Sequence, residues 1–199
     1  INDYADRWLD VQVERTKHRP LATGALSSGE ALAAFVLMMV AAFGLVLLTN
    51  KLTVLLSIAG LLLAASYPFM KRHTYFPQVY LGIAFGWGVP MAFAAVQNRI
   101  PQSAWLLFLA NVLWTTAYDT WYAMVDKEDD LKAGAKSLAI FLGDMDFLAL
   151  GLLFSGFLFS LALLGRQYHF GLTYFICLAL AGTIILWQFK LARLPHRDG

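Results

Sequence analysis

Residues 31–49 read Ala31-Leu32-Ala33-Ala34-Phe35-Val36-Leu37-Met38-Met39-Val40-Ala41-Ala42-Phe43-Gly44-Leu45-Val46-Leu47-Leu48-Thr49, with no charged side chain anywhere in the run. At about 1.5 Å per residue, a helix of this length matches the roughly 30 Å hydrocarbon core of a bilayer. Five similar runs follow, at 52–70, 77–97, 103–125, 146–164 and 170–190. Polar or proline-containing turns separate them, among them Asn50-Lys51, Lys71-Arg72-His73, Asn98-Arg99-Ile100-Pro101 and Arg166-Gln167. Helices this apolar would be unusual in a soluble core, and a helix satisfies its own backbone in lipid. The expected fold class is therefore all-α, a polytopic transmembrane helical bundle of about six spanning helices. A single domain, 1–199, holds them all.

Composition agrees. The chain is 59% hydrophobic and 14% charged, with a mean hydropathy of +0.61, whereas soluble domains carry about 25% charge. The formal net charge of +2 gives no electrostatic reason to expect nucleic acid as a partner; membrane lipid is the expected surroundings. The one cysteine, Cys177, has no partner for an internal disulfide. His18, His73, His169 and His196 are scattered without metal-ligand spacing.

Charge placement predicts the topology. The odd-numbered connections, 1–30, 71–76, 126–145 and 190–199, hold twelve of the 15 Lys and Arg residues. These are Arg7, Arg15, Lys17, Arg19, Lys71, Arg72, Lys127, Lys132, Lys136, Lys190, Arg193 and Arg197, while the even side has only Lys51, Arg99 and Arg166. By the positive-inside rule the odd side is cytoplasmic. All 13 Asp and Glu residues fall on or near that side, so the chemistry is expected there.

Two acidic clusters carry it. In Asn2-Asp3-Tyr4-Ala5-Asp6-Arg7-Trp8-Leu9-Asp10, three aspartates are spaced three and four apart, which puts them on one helical face. In Tyr118-Asp119-Thr120-Trp121-Tyr122-Ala123-Met124-Val125-Asp126-Lys127-Glu128-Asp129-Asp130, Asp119, Asp126 and Asp130 share a face at spacings of seven and four. Like charges so arranged repel, and more strongly near a low-dielectric bilayer. A structural helix gains nothing from them; hard divalent cations do, because Mg²⁺ takes a few carboxylates, retained waters and phosphate oxygens. Asp119 also falls within a spanning run, where ionisable groups are costly and usually functional. Two such faces can hold Mg²⁺ ions around a diphosphate leaving group. The alternative for one cluster alone is a solvated acidic loop.

Asn2-Asp3-x-x-Asp6-x-x-x-Asp10 and Tyr118-Asp119-Thr120-x-Tyr122-Ala123-Met124-x-Asp126-x-x-x-Asp130 resemble the two motifs of the UbiA superfamily of intramembrane prenyltransferases. The second resemblance continues through Lys132-x-Gly134-x-Lys136-Ser137. Tyr67-Pro68-Phe69-Met70-Lys71-Arg72 and Gly86-Trp87-Gly88-Val89-Pro90-Met91-Ala92-Phe93-Ala94-Ala95 look like the 4-hydroxybenzoate branch, of bacterial type. The resemblance implies Mg²⁺-dependent transfer of a polyprenyl group from polyprenyl diphosphate to the ring carbon ortho to the hydroxyl of 4-hydroxybenzoate. That is a step of ubiquinone biosynthesis at the bacterial inner membrane. It implies Asp3, Asp6, Asp10, Asp126 and Asp130 as metal ligands, with Asn2, Arg7, Lys132 and Lys136 toward the diphosphate. Asp119 and Arg72 are the implied catalytic residues, Arg72 pairing with the acceptor carboxylate through its planar guanidinium. The same resemblance implies a part of a longer chain, with about two helices before Asn2 and one after Gly199. Arg15, Lys17 and Arg19 are read as topology-setting charges. Homogentisate, dihydroxynaphthoate or haem are alternative acceptors. A membrane cation transporter is the rival of another class, but it would spread acids through the membrane depth.

Within the 77–97 run, Gly82, Gly86 and Gly88 are expected to form a face for close helix packing, and Pro90 to kink the helix. Trp87, Trp105, Trp114 and Trp121 are expected to include interfacial anchors.

Overall fold

A computed structural model describes residues 2–14 and 16–192. Arg15, Arg193, His196 and Arg197 lie outside the described residues. Every regular element among the described residues is helical. In chain order they are α1 (Asn2–Asp10), α2 (Ser28–Val46), α3 (Lys51–Ser66), a short 3-10 turn (Tyr67–Phe69), α4 (Met70–His73), α5 (Pro77–Gly86) and α6 (Gly88–Gln97). Then come α7 (Gln102–Val125), α8 (Lys127–Ala133), α9 (Leu138–Leu142), a second 3-10 turn (Gly143–Met145), α10 (Asp146–Gln167) and α11 (Leu172–Ala192).

Five of the six expected spans are helices long and apolar enough to cross a membrane: 28–46, 51–73, 77–97, 138–167 and 172–192. The sixth, α7, has 24 residues but falls short in apolarity. The reason is its position. It packs against α10 on one side and α5 on the other, and Ala104, Ala110, Thr115, Thr116, Ala117, Thr120 and Ala123 are buried in those contacts. A helix enclosed by protein has no need of a lipid-compatible surface. By contrast α2 buries none of its residues, and its apolar surface faces outward, as a lipid-exposed helix requires.

Helix ends follow their local sequence. Ser27 and Glu30 form a capping box at the start of α2, and the Asn50 side chain accepts from Thr53 N–H at 3.0 Å at the start of α3. Both devices satisfy backbone donors that a helix start leaves open. The kink expected at Pro90 is a break between α5 and α6 at Trp87. Proline has no N–H for the Gly86 carbonyl and its ring crowds that group, so the interruption lies one turn before the ring. The Trp87 indole ties the break to α3 by donating to Leu56 O at 2.9 Å. Four tryptophans make ring contacts, Trp87 with Trp105 and Phe108, Trp114 with Phe154, and Trp121 with Phe147 and Phe189, while Trp105 and Trp114 also keep an exposed face.

The glycine face is confirmed at two of its three positions. A Cβ on Gly82 would lie 2.8 Å from the Val112 carbonyl oxygen of α7, and one on Gly86 would lie 3.1 Å from Asn111 Oδ1. A Cβ on Gly88 would meet nothing within 4 Å, since two residues beyond Gly86 carry it round to another side of the helix. Gly82→Leu is therefore expected to push α5 from α7 and cost about 1–3 kcal/mol, the usual scale of overpacking. A fall in the detergent-solubilised melting temperature would register it, and Gly88→Leu is the matched substitution without such a fall.

Candidate active site

Three of the odd-numbered connections, 1–30, 71–76 and 126–145, meet at one end of the bundle. Lys136 N–H donates to Lys71 O at 3.0 Å, Leu138 N–H donates to Gln78 Oε1 at 2.9 Å, and Glu14 N–H reaches Asp129 Oδ2 at 3.5 Å. Gln78, one residue into α5 and 2% exposed, thus holds the segment that follows the second motif. Gly134 closes α8 in the left-handed region at φ 71°, where the lack of a Cβ removes the strain.

On α1, Asp6 and Asp10 are buried, at 3% and 4% exposure. The chain turns back after Asp10, with Thr16 Oγ1 donating to Asp10 O at 3.2 Å, and this brings Arg19 over the acidic face. Arg19 Nη1 lies 3.1 Å from Asp3 Oδ1 and 3.2 and 3.1 Å from the two carboxylate oxygens of Asp10. Lys71 Nζ lies 3.7 Å from Asp6 Oδ2. Two cations from elsewhere in the chain therefore offset the repulsion that the spacing creates.

The second motif is divided. α7 ends at Val125 and α8 begins at Lys127, with Asp126 as the junction. The expected continuous acidic face is interrupted there, yet Asp119, Asp126 and Asp130 still line one cavity of about 250 Å³ together with Asn2 and Asp10. Arg19, Lys71, Tyr67 and Tyr118 complete much of its wall. Asp3 and Asp6 do not line it; they connect to it through Arg19 and Lys71.

The donors suit a hard divalent cation. Asn2 Oδ1 is buried with no hydrogen-bond partner among the described residues, and it borders this cavity. A buried oxygen of that kind is costly unless something occupies it. No group of three or more acidic, His or Cys side chains among the described residues is gathered closely enough to hold a metal ion by itself. Mg²⁺ does not require one, since it keeps waters and takes phosphate oxygens from its substrate.

The other expected residues lie differently. Arg72 lines an adjacent cleft of about 420 Å³ with Asp6, Trp8, Lys71, Gly134 and Ala135. Its Nη2 donates to Ala5 O at 2.7 Å, and its guanidinium stands 5.5 Å from the Trp8 and Phe69 ring centres. Lys71 borders both cavities. Arg7 is exposed and folds onto the Tyr4 ring at 4.5 Å. Lys132 is exposed, 3.6 Å from Asp129, and Lys136 lies over Tyr75 at 5.4 Å. None of these three borders either cavity. Sequence reasoning missed Arg19, Lys71, Tyr67 and Gln78 as site residues. Tyr67 and Lys71 carried a signal in the Tyr67–Arg72 stretch, and Gln78 as a lone amide at the start of an apolar run.

Burial pushes the Asp6 carboxyl above the ordinary aspartate value; Lys71 opposes it, Asp10 adds to it, and Arg72 and Arg19 oppose it. A raised folded-state value means that the stabilising contribution is complete below the ordinary aspartate range and is lost as pH rises through the raised value. Above that raised value the ionised Asp6 is thus a net cost to the metal-free fold. Asp6→Asn should raise the metal-free melting temperature at neutral pH and lose that advantage in acid. Equal melting curves across the range would refute this account.

The fold and the site define an integral membrane protein with paired acidic motifs and basic side chains around a polar cavity at one end of a helical bundle. The UbiA prenyltransferase family model matches residues 1–199, and the chain belongs to that family. It is 58% identical over 198 residues to the 4-hydroxybenzoate octaprenyltransferase of Xanthomonas euvesicatoria pv. vesicatoria (strain 85-10), covering 100% of this chain and 65% of that protein. The chain thus spans just under two thirds of the length of this curated relative. A UbiA homolog from Aeropyrum pernix K1, solved without ligand, superposes with a TM-score of 0.84 at 27% identity, over 96% of this chain and 73% of that one. A UbiA homolog from Archaeoglobus fulgidus, bound to GPP and Mg²⁺, superposes with a TM-score of 0.71 at 20% identity, over 98% and 70%.

Proposed function

We propose that this chain carries the site of a Mg²⁺-dependent 4-hydroxybenzoate polyprenyltransferase acting in ubiquinone biosynthesis, its active site at the cytoplasmic face of a bacterial inner membrane. The observation that carries this reading is the single polar cavity that joins Asn2 and Asp10 to Asp119, Asp126 and Asp130. Asp10, Asp126, Asp130 and Asn2 would hold the metal, with Asp3 and Asp6 beside them. The Mg²⁺, when bound, neutralises charge developing on the departing diphosphate. Relatives named for the octaprenyl reaction support the acceptor and donor, and the archaeal homolog with GPP and Mg²⁺ supports the metal.

In this reading the allylic C–O bond of the prenyl diphosphate breaks, a C–C bond forms at the ring, and the ring carbon loses its proton. Lys71 and Arg19 border the leaving-group cavity and add positive charge where it is needed. Arg72 borders the neighbouring cleft and suits a planar carboxylate on the acceptor. Asp119, on the cavity wall, would receive the ring proton. The apolar helices around them exclude water that would otherwise quench a carbocation-like chain.

The test uses the full-length parent in membranes, supplied with labelled 4-hydroxybenzoate, an allylic diphosphate and Mg²⁺. Prenylated product should form and should vanish with EDTA. Product that persists with EDTA overturns the metal. Prenylation of homogentisate in place of 4-hydroxybenzoate overturns the acceptor.

A further inference from the structure

We propose that Arg19 is the internal counter-cation of the metal-free site and competes with the incoming divalent cation for Asp3 and Asp10. This rests on the metal reading above. One guanidinium nitrogen, Nη1, sits within 3.2 Å of three carboxylate oxygens, one from Asp3 and both from Asp10. Straddling both oxygens of Asp10 takes the position through which that side chain would grip a metal ion. Asp10 is buried, with only 6% of its side chain exposed, so leaving it uncompensated is costly. Arg19 is the residue that makes the metal-free site tolerable. Its own side chain keeps 31% exposure and borders the cavity, so it can move aside without losing solvation. The loop that presents it is held by its own backbone, Arg19 N–H to Thr16 O at 2.9 Å and Thr23 N–H to Arg19 O at 2.9 Å. The side chain can therefore leave while the loop stays.

Neighbouring Lys17 provides the comparison. Its Nζ lies 2.7 Å from Glu14 Oε2, and it does not border the cavity. The experiment measures Mn²⁺ binding by the detergent-solubilised full-length parent without diphosphate, by the loss of the free-ion electron paramagnetic resonance signal, together with metal-free melting temperature. Arg19→Gln should bind Mn²⁺ roughly fivefold more tightly, the scale of one partly exposed ion pair, and should melt lower without metal. Arg19→Lys, which keeps the charge and guards against misfolding of the neutral variant, should stay near the wild type in both. Lys17→Gln should change neither. Affinity in Arg19→Gln that is unchanged or weaker overturns the inference, as does an equal gain in Lys17→Gln, which would reduce the effect to bulk charge. If neither the wild type nor Arg19→Gln binds Mn²⁺ without diphosphate, this inference fails; if binding is absent with an allylic diphosphate as well, the metal reading fails with it.

Discussion

Asp126→Ala in the full-length parent is expected to lower prenyl transfer by about two to three orders of magnitude, the scale of removing one group aimed at developing charge. Asp126 is the junction of α7 and α8, and its carboxylate borders the cavity shared with Asn2 and Asp10. The junction's backbone bonds, Asp126 N–H to Tyr122 O and Asp130 N–H to Asp126 O at 3.0 and 2.8 Å, need no side chain. The loss in turnover should exceed any loss of stability. Initial rates with labelled acceptor, read beside a melting curve, separate the two. Activity within a few-fold of the wild type would sink the role of the second motif.

The second large effect belongs to Arg72→Ala, and it should fall on the acceptor and spare the prenyl donor. Arg72 does not border the acidic cavity; it lines the adjacent cleft. One arm of its guanidinium is anchored on Ala5 O, and Trp8 and Phe69 flank it. A fork held this way meets a carboxylate with little rotamer entropy left to lose. A hydrogen bond to a charged group is worth about 1.5–3 kcal/mol, so KM for 4-hydroxybenzoate should rise roughly ten- to a hundredfold. The decisive comparison pairs this variant with an acceptor that lacks the carboxylate, such as phenol. Loss of the carboxylate should penalise the wild type strongly and Arg72→Ala hardly at all, the coupling expected of two groups in contact. An unchanged penalty would remove Arg72 from the acceptor.

The chain's hydropathy and helical periodicity were enough to place the helices and both acidic motifs. Runs such as 31–49 and 170–190 declare themselves because lipid accepts only apolar, internally hydrogen-bonded segments. The spacing of Asp3, Asp6 and Asp10 needs only 3.6 residues per turn to become a face. The lowered apolarity of α7 was visible in Asn111, Thr115, Thr116 and Asp119. Its meaning, a helix enclosed by α5 and α10, was not, since the same residues could have faced a water-filled channel.

Tertiary structure alone decided which charges meet. Arg19 reads in the sequence as one of three basic residues in a loop; in the fold it spans Asp3 and Asp10. Lys71 and Arg72 are neighbours in sequence, yet Lys71 borders both cavities and Arg72 only one. Arg7 and Lys132 sit inside the motifs and still point to solvent or to their own helix. Hydropathy and helical spacing are properties of adjacent residues, so the apolar run 31–49 could be assigned from the chain alone. The pairing of a cation with a carboxylate depends on a loop turning back and on helices packing across many residues. That geometry is set by contacts distant in sequence, and so the membrane bundle and its two acidic motifs were legible while the break in the second motif and the cations that serve both were not.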